Sequence, residues 1–433
     1  MKFRRKCLVA VLGALPLLAS AQLLPPVVPR VDVPAPLQLP ALPQPRVNLP
    51  ATRLASLRGQ VRDLLRRFPD RVERDPRGAP IVRAVIIALR PDAAALQRAL
   101  AQGFLIQEDR NLPVLEQRVV TLLAPAGTST ADALRALRAA DPVGQYDFDH
   151  LYVEQGASTA IAGAEVAGNA ANPVAIRVGL IDGGVDATHP VFQHRPPQVS
   201  GCEGHPVPGA HGTAVASLFV GWSAQFSGAA PGAELLAVDV YCGSDAPGGR
   251  VRDIVAGLAE LAEKNVRVIN VSIVGPDNVV LAAVIRALVA RPIAIVAASG
   301  NDGPNAAPLY PAAYPGVIAV SAVDARQRVL PEACGGGHIS FAAPGADMLA
   351  ATSAGGFATV RGTSYAAPLV AGLVARALAG HDDASVKGIV QQLAATAHDR
   401  GSKGRDRRYG YGLVGAELRV DPRSYMGRAT QNK

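Results

Sequence analysis

The chain is expected to be an α/β protein, in which a small α+β unit precedes a doubly wound parallel sheet. Two observations predict this. From about residue 176 onward, short β-branched apolar runs alternate with stretches of helical period. Between residues 81 and 152 the patterns instead read strand, helix, two strands, helix, strand.

The elements follow in order. Residues 1–21 read MKFRRKCLVAVLGALPLLASA, a basic stretch to Lys6, an apolar run from Cys7 to Ala19 and small residues at Ala19 and Ala21. This is the pattern of a cleavable export signal, cut after Ala21, and its apolar run is too short to span a bilayer. Cys7 lacks the small-residue context of a lipoprotein signal and Arg4-Arg5 makes only a weak twin-arginine motif, so the general secretory route is expected, without a stable membrane anchor. Residues 22–78, with a proline every few positions up to Pro50, are read as an extended linker. Residues 79–155 hold strands at Ile81–Leu89, Phe104–Ile106, Arg118–Leu123 and Gln145–Tyr152, with helices at Ala93–Gln102 and Thr130–Ala139. That order is the split, ferredoxin-like βαββαβ unit.

Residues 170–420 carry the larger unit. Buried strands are expected at Ile176–Ile181, Leu235–Val240, Val266–Ile273, Ile293–Ala298 and Val317–Val323, with helices at Val251–Glu263 and Asn278–Ala290. In such a sheet the cleft forms at the carboxyl ends of the strands. Residues 421–433 are expected to be a loose tail.

A chain of 433 residues, 49% hydrophobic, can bury a large core without staples. Its formal charge of +8 falls to +4 once Lys2, Arg4, Arg5 and Lys6 leave with the export signal, and the arginines are scattered, so nucleic acid is excluded as a partner. Cys202, Cys242 and Cys334 remain, in a compartment where disulfides persist. A Cys202 to Cys242 bridge is expected, because both residues fall in loops bordering the cleft, although spacing alone leaves the connectivity open. GYGLVG at Gly410–Gly415 fits a dinucleotide fingerprint, but eighteen residues after it leave no room for a βαβ unit.

Three segments carry chemistry: VGLIDGGVDATHP around Asp182, AHGTAVASLFVG around His211 and RGTSYAAPLVAG around Ser364. They supply an acid, a base and a nucleophile. A serine hydroxyl needs an imidazole to take its proton, and the imidazole needs a carboxylate to fix its tautomer. A fourth segment, IVAASGNDGP, places Asn301 after an apolar strand. Read singly, each of these residues is a cap or a turn residue; four segments in this order point to a hydrolytic site.

In the order Asp, His, Ser and in these four segments the chain resembles the subtilases, the subtilisin-like serine endopeptidases. The resemblance implies peptide-bond hydrolysis through Asp182, His211 and Ser364. Asn301 and the backbone N–H of Ser364 would then be the oxyanion donors. It implies that an extended peptide binds as an added strand on Ser272, Ile273, Val274 and Gly275, against a wall from Ala297 to Gly300 that includes Ala298 and Ser299. Val274, where relatives commonly carry glycine, is expected to narrow the pocket and favour small or medium side chains such as Ala, Val or Leu on the acyl side. The 79–155 unit would be a pro-region that inhibits the enzyme intramolecularly and is cut off between about Tyr152 and Asn172. Gly183 replaces the hydroxyl residue usual after the acid, removing a hydrogen bond that could steady Asp182. No cofactor is required, though structural calcium bound through loop carbonyls fits the resemblance. The partners expected are protein or peptide substrates and the chain's own pro-region. Two other readings stay open: a non-catalytic secreted binding protein of the same fold, and an acyl hydrolase of non-protein substrates.

Overall fold

A computed structural model describes residues 56–161, 174–223, 226–353, 355–381 and 384–423, all within the unit Ala51–Lys433. The export signal, the linker up to residue 55, residues 162–173 of the expected cleavage window and residues 424–433 of the tail lie outside the described residues. No described helix is long and apolar enough to cross a membrane.

A seven-stranded sheet forms the centre, and all its pairs are parallel. From one edge the strands are Ile339–Pro344, Ile318–Val323, Ala294–Ala298, Val268–Val271, Arg177–Asp182, Glu234–Asp239 and Gln198–Gly201. Their apolar runs are explained by burial on both faces. Val178 and Leu180 point into one layer, with helices Ala210–Val220 and Thr363–Leu378. Ile181, Ile269 and Ile295 point into the other, with helices Val251–Glu263 and Val279–Val289. The sheet is thus doubly wound, and Asp182, Asp239 and Ala298 end three of its strands on one rim.

The smaller unit has the expected order. Strands Pro80–Leu89, Leu105–Leu112, Gln117–Leu123 and Gln145–His150 form an antiparallel sheet with helices Ala93–Ala101 and Thr130–Ala140 against one face. From its other face Ile87, Leu89 and Val119 pack with the 251–263 and 279–289 helices. Two aspartates of the last strand, two residues apart and so on one face, meet the N-termini of those helices. Asp149 accepts from the Arg252 N–H at 3.2 Å and pairs with Arg250 at 2.7 Å, and Asp147 accepts from the Val279 N–H at 2.9 Å.

Two expectations change here. The linker expected over 22–78 gives way by Leu57 to a helix, Leu57–Arg67, and then to a strand, Val72–Arg74, on the small sheet. The helix crosses onto the larger unit: the Leu57 N–H donates to Asp302 Oδ1 at 2.8 Å, Gln60 Nε2 to the Glu154 carbonyl at 2.6 Å, and Arg67 to the Ser244 carbonyl at 2.6 Å. The strand expected to run to Tyr152 stops at His150, because Leu151 bridges to Arg250 and the Tyr152 N–H donates to the Gly249 carbonyl at 2.7 Å.

Candidate active site

The chain beyond Tyr152 enters the cleft at the rim of the parallel sheet. Val153–Glu154 pairs antiparallel with Ile273–Val274, and Ala157–Ile161 pairs antiparallel with Phe357–Arg361. The Gln155–Gly156 peptide is therefore held taut between two strand pairings. Four candidate side chains meet it or its neighbour.

Asp182 closes the central 177–182 strand, and His211 opens the 210–220 helix. Both are buried, and His211 Nδ1 donates to Asp182 Oδ1 at 2.7 Å. The Gly183 N–H donates to the same oxygen at 2.7 Å, while Asp182 Oδ2 is buried without a hydrogen-bond partner. Burial opposes a charge on His211, yet the neighbouring carboxylates of Asp182 and then Glu154 prevail and raise its pKa to about 9. His211 Nε2 has no hydrogen-bond partner.

Ser364 lies in the first turn of the 363–378 helix, where backbone N–H groups have no intrahelical acceptor. Its Oγ donates to the Gln155 carbonyl at 2.6 Å and to the Ser272 carbonyl at 3.1 Å. Asn301 Nδ2 donates to the same Gln155 oxygen at 2.9 Å, and its Oδ1 accepts from the Thr363 N–H at 3.0 Å, which fixes the amide's orientation. Gly362 makes this approach feasible. It adopts φ +139°, and a Cβ there would lie 3.0 Å from the Gln155 oxygen and 3.1 Å from Asn301 Nδ2.

The remaining candidates line the same strand. Ile273 and Val274 pair with it, Ser272 and Gly275 flank that pairing, and Val274 packs with Val153, Leu309 and Cys334. Gln155 is buried, its Oε1 accepts from the Asn301 N–H at 2.6 Å, and it lies against Gly300. Ala298 and Ser299 precede that contact at the end of their strand. Cys202 and Cys242 form a disulfide beside the cleft, and Cys334 is a buried free thiol. Asp239, which carries no local signature, organises this rim by accepting from the N–H groups of Val207, Tyr241 and Cys242.

Among the described residues, one group of His, Cys, Asp and Glu side chains is close enough to meet an ion: Glu154, Asp182 and His211. Calcium takes oxygen donors. This set offers an imidazole whose Nδ1 is already bonded to Asp182, so it does not suit calcium.

The family model described as the Subtilase family matches residues 174–412, more than half of the chain. Subtilisin E of Bacillus subtilis (strain 168) is 29% identical over 312 residues, covering 68% of this chain and 80% of its own. Subtilisin Savinase of Lederbergia lenta is 32% identical over 251 residues, covering 56% and 89%. The crystal structure of fervidolysin from Fervidobacterium pennivorans, a keratinolytic enzyme related to subtilisin, superposes with a TM-score of 0.64 at 21% identity, covering 80% of this chain and 62% of that one. The fold agrees with that structure, and the chain belongs to the subtilase family of serine endopeptidases.

Proposed function

We propose that the protein is a secreted serine endopeptidase that first cuts its own chain between Gln155 and Gly156. One observation carries this reading: the Gln155 carbonyl, clamped on both sides by strand pairing, accepts from Ser364 Oγ at 2.6 Å and from Asn301 Nδ2 at 2.9 Å. Asn301 Nδ2 stands where an oxyanion donor would, and Ser364 Oγ stands against the same carbonyl, its O–H turned to the oxygen and not to His211 Nε2.

The reaction runs on the chain's own side chains. Ser364 Oγ turns from the carbonyl oxygen to bond to the carbonyl carbon, and its proton passes to His211 Nε2. Asp182 holds the imidazole through Nδ1–H and stabilises the cation that forms. The tetrahedral oxyanion rests on the Asn301 amide and the Ser364 N–H. His211 then returns the proton to the Gly156 nitrogen, the C–N bond breaks, and Gly156 leaves as a new amino terminus. Water, deprotonated by the same imidazole, hydrolyses the Gln155 ester to a carboxylate.

After the cut, residues up to Gln155 stay in the cleft as a product and act as an intramolecular inhibitor, gripped through the caps made by Asp147 and Asp149. Other proteins or peptides bind in the same extended form once this segment is removed. Gln155 is of medium size, in line with the expected preference, and its side chain meets Gly300 and the Asn301 N–H, while Val274 packs with Val153. Residues 1–21 and the Cys202–Cys242 bridge support export. The test is expression of the full chain beside Ser364→Ala. The wild type is expected to shorten and yield a product beginning at Gly156, and the variant to stay full length. A wild type that stays intact, or one cut equally in both chains, overturns the reading.

A further inference from the structure

The 57–67 helix precedes the ferredoxin-like order of the pro-region and turns one face to the cleft. Leu57, Gln60, Leu64 and Arg67 recur at the helical spacing of three or four and share that face, while Arg58, Arg62, Asp63 and Arg66 are exposed. Leu57 and Leu64 pack with Val153, Val274, Leu309 and Cys334, the apolar cluster around the 153–154 strand. Between them Gln60 Nε2 donates to the Glu154 carbonyl at 2.6 Å.

The two ends of the helix are pinned to different rims. In its first turn, where N–H groups lack intrahelical acceptors, the Leu57 N–H donates to Asp302 Oδ1 at 2.8 Å, on the loop after the 294–298 strand. At the far end Arg67 donates to the Ser244 carbonyl at 2.6 Å and Arg71 to the Asp245 carbonyl at 3.2 Å, on the loop after the 234–239 strand. The 268–271 and 177–182 strands lie between those two strands. Three inter-strand steps come to about 14 Å, and 11 residues of helix rise about 16 Å. The helix is as long as the cleft is wide.

We infer that this helix is a strap that keeps the enzyme shut after the first cut, separately from the caps that hold the rest of the pro-region. This rests on reading Gln155–Gly156 as the scissile bond. The strand that leads to Gln155 pairs with one strand, Ile273–Val274, in a two-stranded sheet. The helix covers what that pairing leaves open: it lines both the cavity of about 470 Å³ that reaches His211 and the cavity of about 1170 Å³ that reaches Asn301. The product strand therefore cannot leave until the strap lifts. An exposed link, Pro69, Asp70 and Arg71, joins the helix to the 72–74 strand. Hydrolysis of one peptide bond there, water giving a carboxylate and an amine, detaches the helix. Alone in water a helix shorter than about 12–15 residues is marginal, so the freed strap unfolds and does not return.

The test inserts the recognition sequence of a site-specific protease between Pro69 and Asp70 of the full chain, lets the chain cut itself, and then adds that protease. The readout is hydrolysis of a short chromogenic peptide anilide, with intact mass after gel filtration to show which pieces stay bound. Cutting the link is expected to release the helix and raise hydrolysis about tenfold or more. The same insertion in the exposed loop between Gly127 and Thr128 leaves the strap attached, and cutting there should leave the rate low. Without any insertion, Gln60→Ala should raise the rate of the self-cut chain by about two- to tenfold, the size of one lost hydrogen bond. A rate unchanged by cutting the link, an equal rise from both cuts, or a Gln60→Ala chain as slow as the wild type overturns the inference while leaving the cleavage reading intact. A wild-type chain that is never cut at Gln155–Gly156 overturns both.

Discussion

Gly156 follows the carbonyl that Ser364 faces, and it has no room to be anything else. A Cβ there would lie 2.6, 2.8 and 2.9 Å from Cε2, Oη and Cζ of Tyr365. Carbon atoms pack at about 3.5–4.0 Å, so alanine requires a shift of roughly 1 Å in the strand or the ring. The Tyr365 ring is 2% exposed and its centroid is 5.4 Å from that of His211, so a displaced ring presses on the His211 imidazole instead of swinging into solvent. If the strand moves instead, the Gln155 carbonyl leaves its donors. Either way a misplacement of about 1 Å costs on the order of 10²-fold in rate. Gly156→Ala should thus slow self-cleavage by about that factor, and Gly156→Val by more. The assay is the loss of full-length chain with time on a denaturing gel, with Ser364→Ala as the zero. Cleavage of Gly156→Val at the wild-type rate, whether at the same bond or a neighbouring one, refutes the reasoning.

Three further outcomes follow from the same geometry. Asn301→Ala removes the 2.9 Å donor to Gln155 and should slow self-cleavage by about 10²–10³-fold, a size known for loss of such a donor within this family, and because the Thr363 N–H also loses its acceptor the thermal midpoint of the uncut chain should fall as well. Asp149→Ala takes away a helix cap and the partner of Arg250, so the pro-region, added in trans to the processed enzyme, should inhibit more weakly, by about 0.5–2 kcal/mol in the inhibition constant. Cys334 is 1% exposed and burial raises its thiol pKa to about 11, so at pH 8 it is protonated and covered. Iodoacetamide should leave it unmodified in the folded chain and label it in urea, as read by intact mass.

Much of the fold was legible because parallel strands are buried on both faces and write themselves as apolar runs. The expected helix at Val251–Glu263 matches the observed one, and the strand expected at Ile293–Ala298 starts one residue later. What lacked a local signature was missed. The edge strand Ile339–Pro344 is alanine-rich and ends in proline. The 57–67 helix is rich in arginine and buries only Val61, since its role is to reach Glu154, Ser244 and Asp302, far along the chain. The strand expected to continue through Tyr152 is interrupted for a similar reason, as Leu151 and Tyr152 exchange one sheet for contacts with Gly249 and Arg250.

The candidate site divides along the same line. Asp182, His211, Asn301 and Ser364 could be picked out because each sits where a strand ends or a helix begins, inside a segment whose small residues are readable together. Glu154 and Gln155 could not, because nothing local distinguishes them; their meaning comes from the strand pairing that draws them across the cleft. Gly183 shows how a residue can be seen and still be half understood. As a sequence feature it is a missing hydroxyl, and the unpartnered Asp182 Oδ2 is the atom such a hydroxyl could have served. In three dimensions the same absence lets a carboxyl oxygen of Glu154 stand 2.5 Å from where a Cβ would be. The two views bear differently on a serine at 183. It would offer Asp182 a hydrogen bond. It would also press on the Glu154 carboxyl, the free end of a flexible side chain that can swing aside. A sequence scanned one position at a time shows only the first effect, because the second depends on a residue 29 positions upstream.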